Sequence, residues 1–252
     1  MSQRRPLIAG NWKMNLNAAQ ARALVGEIGA ASSVHCDVLV CPSYTLIGSV
    51  VGQGVAVGAQ DIFWMPSGAF TSRVSASMLV DAGCEYVIIG HSETRGRFGK
   101  LEVASRTVGY FAETDETCNL KMRAAIAAGI KPILCVGETL EEREQGRTDA
   151  VIAEQLRVGL DGVDMATVII AYEPVWAIGT GQTCDTPEAE RVCAMVRAEL
   201  GSAGEHVRVL YGGSMKASNA PELLCQPNID GGLVGGASLV ADEFLAIVAA
   251  AV

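Results

Sequence analysis

The sequence predicts an α/β fold in which eight parallel strands close into a (β/α)8 barrel with outer helices. Eight short apolar runs recur along the 252 residues, and alanine-rich helical stretches separate most of them. Such alternation implies right-handed βαβ units and a parallel sheet. Eight repeats permit closure within one domain, residues 1–252. An open doubly wound sheet is the main alternative, but neither a Gly-x-Gly-x-x-Gly turn after the first run nor a Walker A loop occurs.

The predicted strands are the apolar runs at residues 7–9, 38–41, 55–59, 86–89, 132–136, 168–172, 207–211 and 232–234. The clearest predicted helices cover residues 17–30, 118–128, 150–160, 187–200 and 237–249. In a barrel of this kind, residues that act on a ligand gather at the carboxyl ends of the strands. Polar or glycine-rich segments follow most of the strands, so the sequence predicts a site at that end.

Composition and charge narrow the range of functions. The net charge is −9, with 50% hydrophobic and 19% charged residues, as in a densely packed globular enzyme. An acidic chain without a basic stripe argues against nucleic acid as a partner. A small anionic ligand is still compatible with it, provided that a few cations and backbone amides converge in one cleft.

The spacing of the cysteines bears on metal binding, and the N-terminal sequence bears on cellular location. The eight cysteines show no Cys-x-x-Cys spacing and there are only three histidines, so no metal site is predicted. The first residues hold no apolar run long enough for a signal peptide or a membrane span. We therefore expect a cytoplasmic, reducing location, free thiols and no membrane partner.

The segment 171–181 joins a carboxylate to a loop that could act as a lid. Glu173 leaves an apolar strand, and partial burial there is expected to raise its pKa toward the range in which a carboxylate removes a carbon-bound proton. Pro174 restricts Glu173 to extended conformations and so directs its side chain. Apolar residues and two glycines follow, which suggests a loop that closes and excludes water. A strand cap followed by a sticky surface loop is the simpler alternative.

Three further residues at strand ends are candidates for a site. Asn11 and Lys13 follow the first strand two residues apart, so strand alternation places both side chains on one face. An inward lysine needs an anionic partner, such as a substrate phosphate or oxyanion. His91 follows the fourth strand and precedes a predicted helix start, whose dipole favours a neutral, hydrogen-bond-donating imidazole. Taken singly, such residues are more often a solvated lysine and a structural histidine.

Two glycine pairs follow the last two strands, in Gly212-Gly213-Ser214 and in Gly235-Gly236. Glycines let the backbone approach a ligand and leave amide donors unpaired at a helix start, which suits a phosphate dianion. One pair alone is more often a turn. Two pairs in adjacent barrel loops, where phosphate commonly binds in this fold, favour a phosphate site.

Residues 60–75 form an unusually long and apolar connection for a βα loop. If it were exposed, this loop would promote aggregation. The sequence therefore predicts a homodimer in which the 60–75 loop packs against a second copy of the chain. The alternative is that the loop folds back on its own barrel.

The motifs together match a known family, because the chain resembles the triosephosphate isomerases over essentially its whole length. The resemblance implies the fold named after them, the TIM barrel. The matching motifs, in the family's order, are Gly-Asn-Trp-Lys-Met-Asn at 10–15, Gly-His-Ser-Glu at 90–93, Cys-Val-Gly-Glu at 135–138, the lid segment at 172–181, Tyr-Gly-Gly-Ser at 211–214 and Leu-Val-Gly-Gly-Ala-Ser-Leu at 233–239.

The resemblance implies interconversion of dihydroxyacetone phosphate and D-glyceraldehyde 3-phosphate, a step of glycolysis and gluconeogenesis, without a cofactor. Glu173 would carry a proton between neighbouring carbons. Neutral His91 would polarise and protonate the carbonyl oxygens, which stabilises an enediol or enediolate. Lys13 would offset negative charge on the substrate and the intermediate.

The resemblance also assigns the residues that hold the substrate. Glu93 would contact the residues of the site without touching the substrate. Thr71 would reach the neighbouring subunit's site near Lys13. Asn11 would position the substrate oxygen. The backbone amides that would bind the phosphate belong to Gly179, Ser214, Gly235 and Gly236.

The chain departs from the family pattern in four places. Thr94 replaces a common arginine and Asp61 replaces a common asparagine, which puts local interface contacts in question. About a dozen extra residues lie between Gly96 and Tyr110. The segment 182–186 replaces a shorter hinge that usually carries lysine or arginine.

Two other functions compete with this one. One is a different phosphate-binding barrel that moves protons in sugar phosphates, such as an epimerase or a larger aldose-ketose isomerase. The other is a barrel that binds phosphate without turnover. The lid and the combination of Lys13, His91 and Glu173 disfavour both.

Overall fold

Eight parallel strands form a closed barrel in the order β1 to β8, and β8 returns to pair with β1. The computed structural model describes residues 4–30, 35–97, 107–109, 112–178 and 182–251. The strands are β1 (Leu7–Asn11), β2 (Asp37–Cys41), β3 (Ala56–Ala59), β4 (Tyr86–Ile89), β5 (Lys131–Val136), β6 (Ile169–Tyr172), β7 (Arg208–Tyr211) and β8 (Gly231–Val234). The predicted barrel is confirmed, and the largest error in a strand end is at β1, which runs to residue 11 rather than residue 9.

Helices on the outside connect the strands. They are α1 (Ala18–Ala30), α2 (Ile47–Val50), α3 (Ala76–Asp81), α4 (Asp115–Ala127), α5 (Leu140–Glu144), α6 (Thr148–Gly159), α7 (Thr186–Glu199), α8 (Ala220–Leu224) and α9 (Ala241–Ala250). Side chains cap several N-termini, as Asp185 does for α7 by accepting the amide hydrogen of Glu188. These caps set where the helices begin.

The prediction of one helix over residues 237–249 is wrong at its start. Gly236–Leu239 form a short 3-10 helix, Val240 is extended, and α9 begins only at Ala241. The side chain of Ser238 donates a hydrogen bond to the carbonyl of Gly235 at 2.6 Å. This bond turns the chain sharply after β8, and the turn keeps the glycine pair at the barrel mouth.

Alternate residues of each strand point to opposite sides of the barrel wall. The inner set fills the barrel and includes Leu7, Ala9, Leu39, Ile88 and Leu210. The outer set packs under the helices. Trp12, with none of its surface exposed, belongs to the outer set. Trp12 therefore points away from the barrel interior, while Asn11 before it and Lys13 after it both line the cavity at the barrel mouth.

The amino ends of the strands carry ion pairs rather than a site. Asp230 lies 2.7 Å from the guanidinium of Arg4 and 2.5 Å from that of Arg197. Asp37 pairs similarly with Arg5 and Arg208. All eight cysteines are free, as expected. Within the ranges described above, no helix has the length and apolar character needed to cross a membrane.

Candidate active site

A cavity of about 580 Å³ opens at the carboxyl ends of β1, β4, β7 and β8. Most of the residues predicted to act on a ligand line it, namely Asn11, Lys13, His91, Ser214, Gly235 and Gly236. Thr71 is exposed and is not part of this cavity. Gly179, predicted to bind the phosphate, lies outside the described residues.

Glu173 lies beside the cavity, in direct contact with His91. Its backbone N–H donates to the carbonyl of Val136 at 2.8 Å, which continues the pairing of β5 with β6. Its carboxylate Oε1 is 2.8 Å from Nε2 of His91, and the backbone N–H of Ser92 donates to Oε2 at 2.8 Å. The side chain is 3% exposed and is not on the cavity wall. In this arrangement the carboxylate is held by protein groups.

This contact opposes the effect of burial on the pKa of both partners. Burial favours the uncharged acid, but the imidazole of His91, the Ser92 amide and Lys13 together lower the pKa of Glu173 below its ordinary value. Burial likewise opposes a charged imidazole, but the carboxylate of Glu173 raises the pKa of His91. For Glu173 the contact with His91 therefore outweighs burial, and its pKa is lowered rather than raised as the sequence led us to expect.

The expected helix after His91 is also different in the structure. Residues 92–96 form hydrogen-bonded turns rather than a regular helix, and the amides of Thr94 and Arg95 both bond to the carbonyl of His91. The backbone N–H of Glu93 donates to Nδ1 of His91 at 3.2 Å. In the neutral imidazole that bond makes Nδ1 the acceptor and leaves the ring proton on Nε2, which faces Glu173.

Two glycines give Glu173 room beside the neighbouring strands. A Cβ on Gly137 would lie 1.7 Å from the carbonyl oxygen of Glu173, so only glycine fits there. A Cβ on Gly212 would lie 2.9 Å from Cγ of Glu173 and 3.0 Å from the carbonyl oxygen of Tyr172. Gly212 therefore leaves the space in which the Glu173 side chain lies.

Lys13 has an unusual backbone conformation, with φ of 51°, which the surrounding hydrogen bonds hold in place. Its N–H donates to the side-chain oxygen of Asn11 at 3.0 Å, and its carbonyl accepts from Gln60 at 2.8 Å. Its Nζ lies 3.0 Å from the carboxylate of Glu93. The predicted placement of the Asn11 and Lys13 side chains toward the cavity is confirmed, although a turn rather than a continued strand produces it.

The opposite wall is formed mainly by the glycine-rich segments that follow β7 and β8. Gly235 and Gly236 follow β8, and Ser214 follows β7. The side chain of Asn219 donates to the carbonyl of Ser214 at 3.0 Å and accepts the N–H of Lys216 at 2.8 Å. Asn219 therefore fixes the segment 214–216 at the cavity edge.

The start of the predicted lid is anchored by a buried carboxylate. Glu138, fully buried after β5, accepts a hydrogen bond from Nε1 of Trp176 at 2.8 Å and one from the hydroxyl of Tyr172 at 3.3 Å. Burial raises the pKa of Glu138. The guanidinium of Arg143 lies 4.4 Å from the ring of Trp176. These contacts define where the loop after Glu173 begins.

Two of the departures from the family pattern occur in one buried cluster. Thr94 donates a hydrogen bond to the carboxylate of Glu113, which also pairs with Lys121. Lys121 lies 2.5 Å from Asp61 as well. Burial raises the pKa of Asp61, although Lys121 opposes that effect. The two replaced residues are therefore neighbours through Glu113 and Lys121.

The sequence indicated the main site residues but missed the contacts that position them. In the sequence, Glu138 is only the last residue of the Cys-Val-Gly-Glu motif, and its bond to Trp176 has no local sequence signal. Lys216 lines the cavity but drew no attention. Its position two residues after Ser214 in a phosphate-loop pattern was the available signal.

Comparison with known proteins gives a consistent result. The family model for triosephosphate isomerase matches residues 6–251. Curated triosephosphate isomerases are similar throughout: that of Synechococcus sp. (strain JA-3-3Ab) is 47% identical over 96% of this chain and 93% of its own length. That of Halorhodospira halophila is 49% identical over 98% of both chains. A crystal structure of triosephosphate isomerase from Bartonella henselae superposes with a TM-score of 0.84, at 37% identity and 98% coverage of both chains.

Proposed function

Since the chain belongs to the triosephosphate isomerase family and interconverts dihydroxyacetone phosphate and D-glyceraldehyde 3-phosphate, we propose how its residues carry out that isomerisation. Glu173 is the base that removes a proton from the carbon beside the carbonyl and returns it to the neighbouring carbon. His91 donates a hydrogen bond from Nε2 to the substrate oxygens. Lys13 offsets the charge of the enediolate, and Asn11 positions the oxygen. The proton transfers need only these groups, so the mechanism uses no cofactor.

Glu173 must turn toward the cavity to act on carbon. A rotation of its side chain breaks the contact between Oε1 and Nε2 of His91, which are 2.8 Å apart, and the bond from Ser92. Both contacts lower the pKa of the carboxyl group, whereas burial, the largest single influence, raises it. The carboxylate therefore becomes a stronger base when it leaves His91.

The same rotation prepares His91. The carboxylate of Glu173 is what raises the pKa of this imidazole against the effect of burial. Once the carboxylate moves away, burial favours the neutral imidazole. The amide of Glu93 keeps Nδ1 as an acceptor, so the proton on Nε2 becomes available to the substrate. One rotation of the Glu173 side chain therefore makes the carboxylate more basic and frees the Nε2 proton of His91 for the substrate.

The phosphate end of the substrate binds to the backbone wall. Ser214, Gly235 and Gly236 line the cavity together with Lys13, and their backbone amides are the donors that we assign to the anion, since glycine lets the backbone come close to it. The resemblance adds the amide of Gly179, a residue of the predicted lid that lies outside the described residues, to this set. Closure of that lid over the cavity excludes water, which suppresses loss of phosphate from the enediolate.

The observation that supports the proposal most directly is the contact of Glu173 with His91 beside a cavity that Lys13 and the glycine loops also line. The test is to incubate the enzyme with dihydroxyacetone phosphate in deuterated water. Deuterium should enter the carbon of the product, and Glu173→Gln should abolish both label entry and isomerisation while inorganic phosphate still binds. Undiminished turnover in Glu173→Gln would refute the assignment of the base.

The 60–75 loop forms a homodimer contact in this proposal. Its side chains Met65 and Phe70 are each 39% exposed, and Met14 beside the cavity is 95% exposed, so each chain presents apolar surface that a second copy would bury. Thr71, at the tip of the same loop, reaches the neighbouring site near Lys13. Mass measurement at nanomolar concentration tests this, because a stable, active monomer would remove both assignments.

We also propose that residues 1–252 act as one barrel domain in the cytoplasm. The closed barrel uses strands from both ends of the chain, since β1 pairs with β8. Seven of the eight cysteines are buried, and all are free thiols, as suits a reducing compartment. Fractionation of cells that produce the protein would test the location.

A further inference from the structure

The edge of the cavity beside the phosphate loops carries a lysine with no assigned role. Lys216 lines the same cavity as Ser214, Gly235 and Gly236, and its side chain is exposed. Its neighbours along the chain, Met215 and Ala217, are apolar and carry no charge. Lys216 is therefore the charged residue that the loop after β7 presents to the anion-binding wall.

The backbone at Lys216 is held in a defined place. Its N–H donates to the side chain of Asn219 at 2.8 Å, and its carbonyl accepts the backbone N–H groups of Asn219 and Ala220. Asn219 also binds the carbonyl of Ser214 at 3.0 Å. The lysine therefore starts from the same fixed turn that places the Ser214 amide, rather than from a free loop.

The other charges around the cavity are paired or negative, so the positive charge of Lys216 matters for attracting an anion. Lys13, the other lysine that lines the cavity, is 3.0 Å from the carboxylate of Glu93, so its positive charge is partly balanced. Glu243, in the first turn of α9, also lines the cavity and would repel an anion. Throughout the described part of the chain, Lys216 and Glu243 form no ion pair. The net charge of the chain is −9, so an approaching phosphate dianion meets repulsion from the molecule as a whole.

We propose that Lys216 is a specificity-determining residue for the phosphate group, which attracts the dianion to the cavity and helps to hold it against the negative charge of Glu243. This inference rests on the proposed phosphate site and adds a side-chain contribution to a wall otherwise made of backbone amides. Because Lys216 is at the phosphate end, it acts equally on the substrate and on the transition state. Its loss should raise KM and leave kcat nearly unchanged.

The experiment measures kcat and KM for D-glyceraldehyde 3-phosphate with Lys216→Gln, Lys216→Arg and Glu243→Gln. At about 0.01 M ionic strength, where charges act over about 30 Å, Lys216→Gln should lower kcat/KM about three- to tenfold through KM. Lys216→Arg should restore most of the loss, and Glu243→Gln should shift kcat/KM upward. The differences should largely vanish at about 1 M salt, where screening reduces that range to about 3 Å.

Two controls separate a local effect on phosphate from other causes. Arg123→Gln removes the same charge from the exposed face of α4, away from the cavity, and should leave kcat/KM unchanged. Glyceraldehyde, which lacks the phosphate, should react equally slowly with the wild type and with Lys216→Gln. If Lys216→Gln matches Arg123→Gln at low salt, or if it slows glyceraldehyde as much as the phosphate ester, the proposal is wrong.

Competition by inorganic phosphate distinguishes failure of this inference from failure of the phosphate site itself. Phosphate should inhibit the wild type competitively and inhibit Lys216→Gln more weakly. Equal inhibition of the two would overturn the role of Lys216 alone. If phosphate does not compete with the substrate even in the wild type, the assignment of the backbone wall is wrong and the role of Lys216 is lost with it.

Discussion

The two walls of the cavity are built differently, and the difference separates chemistry from binding. The wall after β1 and β4 carries charged and polar side chains, and Glu173 lies behind it after β6, 2.8 Å from His91, with both of these side chains nearly inaccessible to solvent. The wall after β7 and β8 uses backbone amides in glycine-rich turns, with one exposed lysine at its edge. A substitution in the first wall removes a reacting group, whereas a side-chain substitution in the second leaves most of the donors in place. Turnover and anion binding should therefore be separable by mutation.

The largest expected effect comes from Glu173→Gln in the reacting wall. The amide fills the same space but cannot accept a proton from carbon, so kcat should fall about 10³-fold. Inhibition by inorganic phosphate should stay near the wild-type value, because the backbone wall is untouched. Steady-state kinetics with phosphate as inhibitor measures both. If phosphate binding fell together with turnover, the two walls would not be independent.

His91→Gln should have the next largest effect. Glutamine keeps an N–H donor but places it differently and cannot supply the proton on Nε2, so kcat should fall about 10²-fold with a modest change in KM. Label entry from deuterated water should slow in proportion. A change in KM alone would mean that His91 binds the substrate without taking part in the proton transfers.

Gly212 follows β7 but lies against the Glu173 side chain, so its substitution tests whether turnover can be lowered from the phosphate-binding side of the cavity. A methyl group there would lie 2.9 Å from Cγ of Glu173 and 3.0 Å from the carbonyl oxygen of Tyr172. Gly212→Ala should therefore displace the base and lower kcat about tenfold, with less effect on phosphate inhibition. The matched control is Gly26→Ala in α1, where a Cβ has no neighbour within 4 Å and activity should not change. Equal activity of both variants would show that the base does not need this space.

Much of this arrangement could be predicted from the sequence because it depends on local patterns. The apolar runs marked all eight strands, since a buried parallel strand reads as a continuous hydrophobic segment. Asn11 and Lys13 reached the cavity as predicted. The last helix was predicted to start at residue 237, whereas it starts at Ala241. The hydrogen bond from the Ser238 side chain to the carbonyl of Gly235 accompanies the turn that precedes it.

The charge state of the site could not be predicted in the same way. Glu173 and His91 are 82 residues apart in the sequence, and only the closed barrel brings their side chains together. Burial of Glu173 was visible in the sequence, and its expected effect on the pKa of that carboxyl group had the right sign. The opposing contact, which decides the net direction of both shifts, depends on three-dimensional distance. The cluster that joins Thr94 to Asp61 through Glu113 and Lys121 was hidden for the same reason.

The smallest expected effect is on stability, and it tests the pair of Glu173 and His91 directly. The raised pKa of His91 gives stability that is complete below its ordinary value of 6.5 and is lost as the pH rises through the raised pKa. The lowered pKa of Glu173 gives stability that is complete above 4.5 and is lost as the pH falls through the lowered pKa. The pair should therefore stabilise the fold most between pH 4.5 and 6.5.

Denaturant unfolding of the wild type and of His91→Gln across this pH range measures the contribution of the pair. Glutamine keeps a hydrogen-bond donor near Glu173, so the difference between the two proteins isolates the charge on the imidazole. The wild type should exceed the variant in the free energy of unfolding between pH 4.5 and 6.5, because only the wild type carries an imidazole whose pKa the carboxylate of Glu173 raises. This excess should shrink on both sides of that window. A difference that does not vary with pH would mean that the two groups share a hydrogen bond without an ion pair, and then rotation of Glu173 would not change the protonation of His91.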